Sequence, residues 1–146
     1  IKKTFNLAIG ERTAEEVKIK IGAAVPLEEE LRVTIKGRDF IQGLPRSAQV
    51  GTNEIVKAID GELKQIIKAI KTVLAETPPE LASDIIDHGI IMTGGSSQLR
   101  NLADLVYRKT GVKATLADDS LYCVAKGTGI VLDHLDMYKK TVLSKK

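Results

Sequence analysis

The stretch from Gly89 to Leu116 constrains the fold more than any other part of this chain. Ile90-Ile91-Met92-Thr93 is a continuous apolar run bounded by glycines, the pattern of a buried parallel strand. Gly94-Gly95 turns the chain directly into a helix with Leu99, Leu102, Leu105 and Val106 on one face. Gly111 closes that helix, and Val112 to Leu116 reads as the next strand. Strand, helix and strand in succession form a crossover unit, so the fold class is α/β of the doubly wound kind.

The rest of the chain has a different texture. Ile1 to Ile9 reads as the tail of an element that begins earlier, and Gly10 punctuates it. Thr13 and Glu16 make a capping-box pattern for a helix carrying Ala14, Val17, Ile21 and Ala24, which Pro26 ends. Leu31 to Ile35 alternates apolar and polar residues, as a half-buried strand does. Gly37-Arg38-Asp39 supplies a turn, Phe40-Ile41 begins a second short strand, and Ser47 to Val50 adds a third after Gly43 and Pro45. These strands suggest a small antiparallel sheet.

From about Asn53 to Glu76, Ile55, Ile59, Leu63, Ile66, Ile67, Ile70 and Leu74 recur at three- and four-residue spacing, which predicts one long amphipathic helix. Gly61 weakens it by about 1 kcal/mol relative to alanine. Thr77-Pro78-Pro79-Glu80 caps a short helix that ends at His88-Gly89, with the glycine as a left-handed cap. After Asp118-Asp119-Ser120 a last helix carries Leu121, Val124, Ile130, Val131 and Leu135, followed by a frayed tail with Lys139, Lys140, Lys145 and Lys146.

Composition removes several function classes. Hydrophobic residues at 43% and charged residues at 28% are ordinary globular values. Twenty-two basic against 19 acidic residues leave +3, too little to imply a nucleic-acid partner. An aromatic content of 3% without tryptophan disfavours surfaces that stack bases or sugars. The single cysteine, Cys123, cannot form an internal disulfide and points to a reducing compartment. No apolar run approaches the roughly 20 residues of a membrane span, and no leader pattern opens the sequence. An isoleucine at position 1 predicts a piece of a longer protein.

Two constellations could carry chemistry. At Gly94-Gly95-Ser96 the missing Cβ atoms let a ligand approach the backbone, and a helix beginning there would favour anions or ribose oxygens. Ligands of open α/β sheets bind beyond the carboxyl ends of strands, where this corner falls. The plain alternative is a tight strand-to-helix turn with Ser96 as N-cap. On the first helix Glu15 and Lys18 stand three apart and face the same way. The carboxylate suits sugar hydroxyls, and the lysine stem suits a purine face. The alternative is a solvated face with weak pairs such as Glu16 with Lys20.

Asp118-Asp119 precede a helix and favour its dipole, and His88 and His134 have no ligand at metal spacing. Cys123 reads as a small core residue, and no nucleophile–base pair is legible.

Gly10-Glu11-Arg12-Thr13-Ala14-Glu15-Glu16-Val17-Lys18, Thr77-Pro78-Pro79-Glu80-Leu81-Ala82, Thr93-Gly94-Gly95, and Cys123-Val124-Ala125 before Gly127-Thr128-Gly129 succeed one another along the chain. In that order they resemble MreB-type bacterial actins. Val33 to Pro45, with Lys36-Gly37-Arg38-Asp39 and Gly43-Leu44-Pro45, is similar as well. The resemblance covers essentially the whole chain. It implies an actin-like (ribonuclease-H-like) ATPase fold of two lobes with nucleotide in the cleft, of which this chain resembles the C-terminal portion of the second lobe. On that basis residues 1–24 and 90–137 form the nucleotide-facing base, 25–89 an inserted α+β outer subdomain, and 138–146 a basic tail.

The same resemblance assigns Glu15 and Lys18 to the ribose and adenine side of ATP or ADP, and Gly94, Gly95 and Ser96 to the adenosine-side turn. Ser96 stands where the family usually has a third glycine, although related ATPases of the superfamily place serine there. Ser120 replaces the usual proline after the acidic pair, which should matter only to how the next helix starts. The family's phosphate loops and magnesium site match nothing in this chain, and phosphoryl transfer depends on them. No catalytic residue or metal ligand is therefore assigned, and no hydrolysis is expected from this stretch alone.

The whole protein is expected to bind ATP with Mg2+, self-associate into filaments and maintain cell shape. It would lie in the cytoplasm at the inner face of the membrane, with membrane-associated cell-shape proteins as partners. The rival is a non-catalytic assembly module with a silent nucleotide site, for which Ser96 speaks. A sugar kinase of the same superfamily would need a carbohydrate-binding lobe that the pattern does not show.

Overall fold

Two sheets organise the molecule, and the computed structural model describes residues 1–143, with side chains through 139. The first sheet is antiparallel in the order β1 (Leu7–Ala8), β2 (Arg32–Asp39), β3 (Pro45–Gly51), with Leu7 opposite Asp39 and Val33 opposite Val50. Helix α1 (Lys2–Phe5) leads into β1, and α2 (Glu11–Ile21) lies on the sheet. Leu7, Ile35 and Val50 from the strands meet Val17 and Ile21 from α2 in one buried cluster. Burying side chains of this size stabilises by roughly 1.5–3 kcal/mol each.

The second sheet pairs β4 (Ile90–Met92) with β5 (Ala114–Leu116) in parallel, and α5 (Leu102–Thr110) makes the crossover. The strand–helix–strand unit thus forms where the sequence predicts it. It is not buried as predicted: Ile91 is 69% exposed, because a two-stranded sheet leaves part of its surface uncovered. The long helix α3 (Thr52–Glu76) matches its predicted span and packs through Leu63 against Ala24 and Leu102. Ile59, Met92, Leu99 and Leu105 surround that second cluster, which ties α3 to the α5 side of the molecule.

Several boundaries differ from the sequence reading, each for a local reason. Gly10 is the N-cap of α2, so Thr13 falls inside the first turn and the Thr13–Glu16 box does not form. Glu16 instead accepts from Arg12 at 3.3 Å rather than pairing with Lys20. The helix stops at Gly22, before Ala24 and Pro26, because the Ala24 N–H leaves it to donate to the Arg100 carbonyl at 2.8 Å. Thr77 closes α3, its hydroxyl donating to the Val73 carbonyl at 2.7 Å, and Pro78 precedes α4 (Pro79–His88). Gly89 ends α4 at φ 78° and ψ −165°, outside the left-handed helical region.

The hairpin turn lies at 40–44, not at Gly37-Arg38-Asp39, and Phe40-Ile41 belong to it rather than to a strand. One Asp39 carboxylate oxygen accepts from the backbone N–H groups of Ile41 and Gln42, both at 2.8 Å. The other accepts from Arg46 at 2.8 Å. These bonds fold the chain immediately after Asp39. The Gln42 N–H, then the Arg46 guanidinium and the Ile41 N–H, lower the Asp39 pKa from 3.8 to about 2.

A depressed carboxyl pKa stabilises the fold fully above about pH 4, and that contribution fades as pH falls toward 2. The stability difference between the wild type and Asp39→Asn is therefore expected to be largest above pH 4 and to shrink between pH 4 and 2. Urea midpoints measured across that window check it, and a constant difference would overturn it.

The predicted single last helix is three pieces: a 3-10 turn (Ser120–Tyr122), α6 (Cys123–Asp133) and α7 (Leu135–Leu143), with the break at His134. Cys123 is half-buried rather than a core residue, since α6 contributes no buried side chain. Asp119 takes left-handed backbone angles and pairs with Lys126, whose hydrogen bond and charge lower the aspartate pKa. The tail predicted from 138 begins inside α7, and its last residues, 144–146 with Lys145 and Lys146, lie outside the described residues.

Candidate functional site

A cavity of about 750 Å³ opens between α2, α3 and the corner after β4. Lys18 from α2 and Gly95 and Ser96 from the corner line it together, 77 residues apart in sequence between Lys18 and Gly95. Glu15 and Gly94 are not among its lining residues. Glu15 is exposed one turn before Lys18 on the same face of α2, and Gly94 sits directly behind Gly95.

The corner is built by backbone geometry. Gly94 has φ 84° and ψ 169°, angles that are open to glycine and strained for any residue with a Cβ. Its N–H donates to the Ser120 carbonyl at 2.8 Å, and its carbonyl accepts the Ser97 hydroxyl at 2.5 Å. A Cβ at Gly94 would meet nothing within 4 Å, so the space over the corner is open. The chain then makes one 3-10 turn, Gly95–Gln98, and α5 begins only at Leu102. Ser96 is therefore not the N-cap of a long helix, and the corner has no macrodipole with which to attract an anion.

The α2 side is stitched to this corner. Ala23 bridges Arg100, and the Ala24 N–H donates to the Arg100 carbonyl. Gly22 lies against Leu99, where a Cβ would come within 3.1 Å of the leucine Cδ1. Lys18, one turn before Gly22 on α2, thereby lines the same cavity as Gly95 and Ser96.

The third wall escapes the sequence reading. Ile59, Glu62, Leu63 and Ile66 of α3 line the cavity, although the spacing of the three apolar residues predicts only a core stripe and Glu62 stands outside it. The available signal is the adjacent pair Ile66-Ile67, which makes the stripe wider than one core contact needs. Ile67 is 8% exposed and faces the core, whereas Ile66 is 45% exposed and faces the cavity. Ser120 also escapes it. It is 3% exposed, and its hydroxyl accepts from the Gln98 side-chain amide at 2.9 Å, so it does more than start a helix.

Chemically the cavity offers apolar walls, two cations (Lys18 and Arg100), one carboxylate (Glu62) and the hydroxyls and amide of Thr93, Ser96 and Gln98. It suits a flat, partly apolar ligand with polar edges. Among the described residues no group of three His, Cys, Asp or Glu side chains is placed to hold a metal ion. No helix of the described residues is long and apolar enough to cross a membrane.

The profile of the MreB/Mbl protein family matches residues 1–140. The cell shape-determining protein Mbl of Bacillus subtilis (strain 168) is 42% identical over 144 residues, 99% of this chain and 43% of its own length. The cell shape-determining protein MreB of Escherichia coli (strain K12) is 40% identical over 138 residues, 94% of this chain and 40% of its own. The crystal structure of MreB5 of Spiroplasma citri bound to ADP has a TM-score of 0.87 at 35% identity, covering 99% of this chain and 43% of that one. This chain thus spans about two fifths of the length of these relatives. An actin-like backbone shared over nearly every residue, together with that profile match, makes the chain a member of the MreB/Mbl family of bacterial actin homologues.

Proposed function

We propose that this chain is part of an ATP-binding, filament-forming protein of cell-shape maintenance, and that it supplies the adenosine-side contacts. The observation that carries this reading is that Lys18, Gly95 and Ser96 line one cavity together. Its apolar walls and open corner fit a nucleoside, and the MreB5 structure that shares this fold was solved with ADP. Lys18 lays its stem along the base and directs its ammonium to the polar edge. Glu15, at the outer end of the same helix face, accepts from ribose hydroxyls. Gly94, Gly95 and Ser96 form the surface beneath the sugar.

The phosphates and Mg2+ are held by parts of the protein beyond this chain, as are the groups of phosphoryl transfer. Self-association is served by surfaces outside the cavity, in the cytoplasm at the inner face of the membrane, with membrane-associated cell-shape proteins as partners. Ser96, standing where the family usually has a third glycine, favours the second reading, a non-catalytic assembly module.

Titrating ATP into the full-length protein separates the two. Saturable binding is expected, weakened at least tenfold by Glu15→Ala, about 1.4 kcal/mol. The isolated 146-residue chain is expected to bind more weakly than about 1 mM, near 4 kcal/mol. No saturable binding by the full-length protein would leave the assembly module standing. Micromolar binding by the isolated chain would overturn the division of labour.

A further inference from the structure

Among the polar side chains that line the cavity, Gln98 stands apart because a buried partner fixes it. Lys18, Glu62 and Arg100 take part in no side-chain hydrogen bond among the described residues. The Ser97 hydroxyl is spent on the Gly94 carbonyl. Gln98 donates one amide N–H to the Ser120 hydroxyl at 2.9 Å, and Ser120 is 3% exposed. The Ser120 carbonyl in turn accepts the Gly94 N–H, so one residue holds both the corner's backbone and the glutamine.

An amide carries two donors and a carbonyl acceptor. With one donor taken by Ser120, Gln98 keeps one N–H and its carbonyl oxygen free. We infer that Gln98, oriented by Ser120, reads the purine edge and makes this cavity select adenine over guanine.

The chemistry is one of matched pairs. Adenine presents an amino donor at C6 beside a ring-nitrogen acceptor, the complement of a glutamine carbonyl and N–H. Guanine presents a carbonyl oxygen at that position, which would face the glutamine carbonyl and leave both acceptors unpaired. An acceptor held in place discriminates where a mobile one would swing away. Ser120 is thus a positioning residue, acting on the base only through Gln98. This selectivity rests on the adenosine reading of the cavity.

Binding of ATP and GTP analogues to the full-length protein, measured by calorimetry, tests it. ATP is expected to bind about tenfold or more tightly than GTP. Gln98→Leu should weaken ATP more than GTP and so bring the ratio within about twofold; Gln98 is exposed, so its loss leaves the core intact. Ser120→Ala should lower the ratio partway, and Ser120→Thr, which restores the hydroxyl, should recover it. ATP binding without preference in the wild type, or a preference untouched by Gln98→Leu, would overturn the inference and leave the nucleotide site standing. If neither nucleotide binds, the adenosine reading falls and takes this inference with it.

Discussion

Gly37→Val is expected to lower the unfolding free energy by about 3–6 kcal/mol, seen as a reduced urea midpoint. Gly37 lies within β2, and a Cβ there would sit 2.3 Å from the Ala8 carbonyl oxygen and 3.0 Å from side-chain atoms of Leu7 and Ile9. The obstacle is backbone, so no rotamer change relieves it. β1 would have to move away, and β1 carries Leu7, which is fully buried against Val17, Ile21, Ile35 and Val50. Re-exposing Leu7 forfeits roughly 2–3 kcal/mol, and the residual overlap adds about 1–3. Gly61→Ala on α3, where a Cβ meets nothing within 4 Å, is the control and should be neutral or stabilising. A loss below about 1 kcal/mol for Gly37→Val would show that β1 is not held where the structure places it.

The same glycine shows how far local pattern carries. Gly37-Arg38-Asp39 looks like a turn because glycine and aspartate favour turns. Only the approach of β1, some thirty residues earlier, explains why a glycine stands inside a strand, and no local window contains that strand. The long helix α3 is legible because its signal is periodic and repeated over 25 residues. The corner at Gly94-Gly95 is legible as a place, since a strand ending in two glycines has few outcomes. Its continuation as a 3-10 turn is not, because that depends on Ser97 and Ser120 bonding to Gly94.

The candidate site divides in the same way. Lys18, Gly95 and Ser96 can be named from motif and resemblance, whereas the α3 wall needs the packing of Leu63 on Leu102 to bring Glu62 and Ile66 across. Ser120 cannot be read as a support for Gln98, because the stretch between them contains a helix and a strand.

Gly94→Val in the full-length protein is expected to weaken ATP binding roughly 10- to 100-fold and to impair filament assembly with it. At φ 84° and ψ 169° a residue with a Cβ is strained by about 1–3 kcal/mol. The space around Gly94 is open, so this strain is the whole local effect and no clash with the core is added. Relaxing it turns the peptide and gives up the bond from the Gly94 N–H to Ser120 and the one from Ser97 to the Gly94 carbonyl. Both bonds position Gly95, Ser96 and Gln98, all of which line the cavity. Gly43→Val is the matched control: Gly43 also has positive φ, 71°, with nothing within 4 Å, but it sits in the hairpin turn away from the cavity. The two variants should lose comparable stability by urea titration, and only Gly94→Val should lose nucleotide. Equal ATP affinity in the two would remove the corner from the site, and normal assembly despite lost ATP binding would separate filament formation from nucleotide.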